Sequence, residues 1–145
     1  MDEIVPADPA LYRLKSGAPP SLLGVRCRGC GGVFFPPQHY GCESCGAPAE
    51  TLETVEMAGR GTLHSFATVH LHQGKGIEAP FTVGVIVLDD GPAVRAILTG
   101  SSEGEFAAGD TMVATTEVQG RDDQGRETVE LRFRKADERE AGGRR

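Results

Sequence analysis

The residues best suited to chemistry are four cysteines, Cys27, Cys30, Cys42 and Cys45, in the pattern C-x2-C-x11-C-x2-C. Each Cys-x-x-Cys puts two thiolates on one tight turn, where both reach a single ion. Two such turns brought together make a tetrahedral four-sulfur cage, the donor set that suits zinc. Gly31 and Gly46 follow the second cysteine of each pair. Glycine tolerates the positive φ that turns backbone N–H groups toward sulfur, which offsets part of the thiolate charge. With all four positions taken by protein, no position is left for water or substrate, so the expected ion is structural, not catalytic. A thioredoxin-like redox pair needs a βαβ setting, and the sequence shows none. Iron of the rubredoxin type uses the same ligands, and spacing alone does not separate it from zinc.

Two units must position these cysteines. Residues 22–50 read as a zinc ribbon, entered by the short strand SLLGVR and carrying a spacer that includes FFPPQHYG. A unit this small cannot build an adequate core, and metal binding contributes folding free energy on the order of 10 kcal/mol. Residues 51–134 read as β throughout, with strands expected near 52–58, 61–72, 80–88, 93–99, 111–118 and 127–134. In 62–72, Leu63, Ala67, Val69 and Leu71 are expected on one face, with His64, Thr68, His70 and His72 on the other. The run from Phe81 to Leu88 is nearly all apolar, as for a strand covered on both faces. Asp90-Gly91 supplies hairpin chemistry, and Gly59 and Gly61 mark a bulge or sharp bend. Short strands with a strongly bent first strand suggest a small Greek-key barrel of the OB type.

The flanks are simpler. Residues 1–21 read as an arm with a short helix, Asp8 as its N-cap and Pro9 at its first position. Residues 135–145 read as a flexible, solvated tail. The expected fold is therefore mainly β: a short N-terminal helix, a rubredoxin-like zinc ribbon, then an OB-fold barrel.

Composition narrows the function. The 145 residues carry 15 Lys+Arg against 21 Asp+Glu, a net charge of −6, and the count without the tail is 11 against 18. Nucleic-acid binding draws its non-specific affinity from cationic patches, and this balance argues against it. Six Phe, two Tyr and no Trp offer few platforms for stacking bases. A nucleic-acid-binding ribbon and OB protein stands as the alternative function, since both modules serve that role elsewhere. No apolar run approaches the ~20 residues of a membrane helix. The acidic start MDEIVPADPA has no secretory character, so a cytoplasmic location is expected.

Other side chains carry weaker signals. His70 and His72 share a strand face but lack a third ligand, and a polar barrel face accounts for them. His39 lies in the ribbon spacer, where four cysteines already satisfy the ion. Gln73-Gly74-Lys75-Gly76 resembles many ordinary hairpin loops as much as a phosphate cradle. Ser65, Ser101 and Ser102 sit in no nucleophile motif. No nucleophile–base–orienter set emerges, so no catalytic residue is assigned.

The order of motifs resembles a known family. CRGCGGVFFPP, CESCG, AGRGTLHSFATVH, APFTVGVIVLDDGPAVRAILTG and Gly109-Asp110 follow one another, with Phe133-Arg134 near the closing strand. This arrangement, from about Leu22 to Arg134, is similar to the zinc-ribbon/OB-fold accessory proteins of thiolase-like acyl-CoA enzymes. Lys135 stands where the family often has proline. The resemblance implies a non-catalytic subunit that stabilises a thiolase, retro-aldolase or ketoacyl-synthase-type partner and shapes its CoA-substrate channel. It implies a heterotetramer of two small and two large subunits, acyl-CoA held through the partner, and settings such as lipid or steroid metabolism. Only Cys27, Cys30, Cys42 and Cys45 carry over as site residues. Phe34, Phe35, Pro36 and Pro37 on the ribbon, and Phe66 with His64 and His70 on the barrel edge, are the expected partner contacts.

Overall fold

The computed structural model describes residues 4–15, 18–70, 80–100 and 103–137. His72, the Gln73–Gly76 loop, Ser101 and Ser102 lie outside them. Among the described residues, ten strands follow in chain order: β1 (Ile4–Pro6), β2 (Tyr12–Arg13), β3 (Ser21–Cys27), β4 (Val33–Phe34), β5 (Leu52–Met57), β6 (Arg60–Val69), β7 (Phe81–Leu88), β8 (Ala93–Thr99), β9 (Thr111–Arg121) and β10 (Glu127–Lys135). They form two sheets. One runs β1-β10-β8-β7-β6-β9, and β9 also pairs with β10, which closes a five-stranded OB-like barrel. The other joins β2, β4 and β5 to the central β3.

The short N-terminal helix does not form. Residues 9–11 make a turn and Tyr12–Arg13 pair with Leu22 and Ser21 instead. A helix of a few residues is marginal in water, whereas the strand pairing also buries the Tyr12 ring to 3% exposure. The arm thus belongs to both sheets, with β1 lying parallel to β10 and β2 antiparallel to β3.

Strand β5 leaves the ribbon sheet at Met57, and the chain turns through Ala58-Gly59 into the barrel. A Cβ at Gly59 would sit 2.3 Å from the Pro20 carbonyl oxygen and 2.5 Å from the Ala114 Cβ, so the sharp bend expected there requires glycine. The bulge itself lies further on, between Leu63 and Ser65. One extra residue inverts the strand's faces beyond it. Phe66 therefore packs toward the core and Thr68 meets Thr82 at 3.3 Å, while Ala67 is exposed. This corrects the alternation expected for Ala67 and Thr68. Strand β7 is covered on one face, not both: Thr82, Gly84, Ile86 and Leu88 are buried, and Val87 is 40% exposed. A barrel strand has one face inside, and the intervening valines look outward.

The core gathers Leu63, Ile86, Leu88, Val94, Leu98, Phe106, Met112, Ala114 and Phe133 from the barrel. Leu22 of β3 and Met57 of β5 complete the same cluster, so ribbon sheet and barrel share one apolar interior.

Candidate metal centre

Strand β3 ends at Cys27, which its pairing with β5 buries completely. The chain then turns back: Gly31 N–H donates to the Cys27 carbonyl at 2.8 Å, and Gly31 has φ +80°. The second turn repeats this, with Gly46 N–H donating to the Cys42 carbonyl at 3.1 Å and φ +78°. The two glycines close the turns onto carbonyls, and other amides serve the sulfurs. Gly32 N–H points to Cys30 Sγ at 3.4 Å, while Ser44 and Cys45 N–H point to Cys42 Sγ at 3.4 and 3.3 Å.

All four Sγ atoms lie within 4.8 Å of one another. Cys27 and Cys45 sulfurs are 3.8 Å apart, and Cys30 and Cys42 sulfurs 3.6 Å. A tetrahedron with Zn–S near ~2.3 Å requires sulfurs ~3.8 Å apart. The residues present therefore fit one structural zinc ion, and the cage has no ligand position to spare.

The electrostatics show why the cage favours a cation. Cys27 is drawn down to about 6, first by the Cys30 amide, then against burial by the Gly29 amide and Thr51. Cys42 is lowered chiefly by the Cys45 amide. Cys45 gains from the Ala47 amide, yet its proximity to Cys42, burial, and the Cys27 and Cys30 sulfurs push it up to about 11. A divalent ion relieves this crowding of like charge.

Two residues that the spacing did not single out shape the site. Gln38 Oε1 accepts from Tyr40 N–H at 2.6 Å and Gly41 N–H at 3.3 Å, while its Nε2 donates to the Gly41 carbonyl at 2.5 Å. It folds the spacer back so that Cys42 returns to Cys30. Thr51 Oγ1 donates to the Pro48 carbonyl at 2.6 Å and stands 3.8 Å from Cys27 Sγ. Short polar side chains that bond nearby backbone are the available signal for both.

His39, His64 and His70 are exposed, and none joins the cysteine cluster. Phe34, Phe35, Pro37 and Phe66 are half-buried, and Pro36 is exposed. Phe35 and Phe66 pack against the core, and Phe66 also meets Phe106 with ring centroids 6.2 Å apart. The exposed aromatic of the ribbon is Tyr40, at 94%. Among the described residues no helix is long and apolar enough to cross a membrane.

Comparison with known proteins agrees with this anatomy. The model of the ChsH2 rubredoxin-like zinc ribbon domain matches residues 15–51, and that of the ChsH2 C-terminal OB-fold domain matches residues 54–117. The benzoylsuccinyl-CoA thiolase subunit BbsA of Thauera aromatica is 32% identical over 119 residues, 82% of this chain and 79% of that protein. A DUF35 domain-containing scaffold protein of Methanocaldococcus jannaschii is 33% identical over 75 residues, 50% of this chain. In that match the chain spans about half (51%) of its relative's length. The solved structure described as the Ltp2-ChsH2(DUF35) aldolase superposes with a TM-score of 0.65 at 26% identity, covering 81% of this chain and 86% of that one. A four-cysteine ribbon sharing its core with an OB-like barrel, together with these matches, establishes that the chain belongs to the ChsH2-type DUF35 family of zinc-ribbon/OB-fold proteins.

Proposed function

We infer that this chain is a non-catalytic accessory subunit of a thiolase-like enzyme acting on acyl-CoA thioesters. The observation that carries this reading is the relationship to BbsA, a thiolase subunit similar along most of both chains. The likeness to the ChsH2 chain of an aldolase complex supports it independently. The zinc cage contributes rigidity: a closed four-thiolate ion holds the ribbon's shape and leaves no coordination position for substrate.

In this reading the small subunit stabilises its partner and shapes the partner's CoA-substrate channel, in the cytoplasm. Two small subunits assemble on a two-fold dimer of large ones. Phe34, Phe35, Pro36 and Pro37 on the ribbon, with the exposed Tyr40 beside them, meet the partner, and Phe66 on the barrel edge is a second contact. A net charge of −6 works against a polyanionic ligand as the alternative.

Purification of the tagged full-length chain from its native host tests the reading. The expected result is co-elution with a thiolase-fold protein, at a mass by light scattering that fits two small and two large subunits. Recovery of the chain without any thiolase-fold protein overturns the reading.

A further inference from the structure

The barrel closes unevenly. Strands β8 and β10 pair only at Leu98↔Phe133 and Thr99↔Arg134. Upstream of that closure β10 gives residues Glu127–Val129 to β1. Residues Ala93–Ile97 of β8 pair with β7 on one side. Among the described residues, no strand pairs with them on the other. A cavity of about 500 Å³ runs along this edge, with Tyr12, Phe35, Val94 and Leu131 among its walls.

We propose that this slot is a strand-addition site for an extended segment of the partner polypeptide, bearing a carboxylate side chain on the β8 side. The identity of the partner rests on the accessory-subunit reading above; the chemistry of the occupant rests on the slot. An uncovered strand edge presents alternating N–H and C=O groups, and a polypeptide backbone is the ligand that matches such a row. Five residues of β8 admit a segment of about 17 Å. An apolar chain would fill the volume but leave those groups without partners.

Two arginines line the slot, and one of them sharpens the assignment. The Arg132 side chain is only 11% exposed, and its Nη1 is held by Glu130 at 3.1 Å. Its Nε is buried with no hydrogen-bond partner, and the nearest carboxylate oxygen, from Glu117, is 3.8 Å away. That nitrogen is already enclosed by the chain itself, so Arg132 forms a fixed wall of the slot. Arg95 lies on the open β8 edge, exposed, with no ion pair among the described residues. It complements an acidic side chain in the incoming segment. Asp8 lines the arm side of the cavity, which places that acidic residue against β8.

Amide hydrogen exchange on the full chain tests the proposal in three states: alone, in complex with the co-purified thiolase-fold protein, and with decanoyl-CoA alone. In the complex, alternate amides within Val94–Ile97 are expected to slow by about tenfold or more. Arg95→Glu is expected to weaken the complex by about tenfold while Arg95→Lys retains it, with unchanged circular dichroism in both. A complex that forms with unaltered β8 exchange and an indifferent Arg95→Glu overturns the slot assignment and leaves the accessory-subunit reading standing. Equal protection by decanoyl-CoA alone also overturns it, in favour of an acyl ligand. Failure to form any thiolase-fold complex defeats the accessory reading itself, and the partner segment with it.

Discussion

The Tyr12 hydroxyl donates a 2.6 Å hydrogen bond to the Val129 carbonyl across 117 residues of sequence. The same oxygen accepts from the Ala7 and Asp8 amides at 3.1 and 3.3 Å. One phenol thus ties the arm's turn to barrel strand β10, while the Tyr12 backbone pairs with Leu22 in the ribbon sheet. Burial raises its pKa above the ordinary tyrosine range, so the hydroxyl keeps its proton. Tyr12→Phe removes the donor and leaves the Asp8 amide short of an acceptor, while the Ala7 amide keeps the Val129 carbonyl at 2.8 Å. The expected cost is about 1–3 kcal/mol, read as a lower urea midpoint and faster proteolysis within residues 4–13. An unchanged midpoint would show that the arm is not fastened here.

The zinc cage and the barrel share Leu22 and Met57. Elemental analysis of reductant-protected protein is expected to find one zinc per chain. Cys42→Ser or chelation should release it, and with it binding free energy on the order of 10 kcal/mol. Strands β3 to β5 should lose amide protection first. The barrel should keep most of its β signal but melt at lower temperature, because two of its core residues come from the ribbon sheet. Wild-type partner affinity in Cys42→Ser would make the ribbon dispensable.

Gly59→Ala should be costly, because the added Cβ meets the Pro20 carbonyl oxygen and the Ala114 Cβ at 2.3 and 2.5 Å. Both neighbours are fixed, so backbone must move. A loss of about 1–3 kcal/mol is expected from overpacking, measured by denaturant unfolding. Gly104→Ala, where a Cβ has open space, is the matched control.

Glu56 joins the arm to the ribbon sheet. It bonds Lys15, accepts from Ser21 Oγ at 2.9 Å and pairs with Arg13 at 2.8 Å. The Lys15 ammonium first, then the Ser21 hydroxyl, hold its carboxyl below the ordinary range. A depressed folded-state pKa stabilises the fold above the unfolded pKa, and this contribution is lost as pH falls through the folded value. Stability should therefore drop on acidification below the usual glutamate range. In Glu56→Gln that acid-side drop should be shallower. Parallel pH profiles for the two proteins would exclude a role for this carboxylate.

Tyr40 projects from the ribbon at 94% exposure. Truncating it removes no interior contact, so Tyr40→Ala should leave the melting temperature unchanged. As a large aromatic anchor it should still weaken the complex with the thiolase-fold protein by more than about 1 kcal/mol, measured by calorimetry. Full affinity in the variant would move the interface away from the ribbon spacer.

The metal cage was legible because its chemistry is local. Two-residue gaps and the glycines after Cys30 and Cys45 dictate the turns wherever the chain goes. The same holds for the strands of the barrel, whose apolar runs and turn signals lie within a few residues of one another. What the sequence left open depends on distant partners. Tyr12 became a strand residue because Leu22 and Val129 were there to receive it. Phe66 faces inward because a bulge between Leu63 and Ser65 shifts the register, and no propensity marks that position. Tyr40 stands in solvent, whereas Phe35 packs against the molecule's own core. Local spacing sets the ligands and the turns. Which faces are buried, and which edge stays open, is decided only when strands far apart in sequence compete for the same hydrogen bonds and the same core.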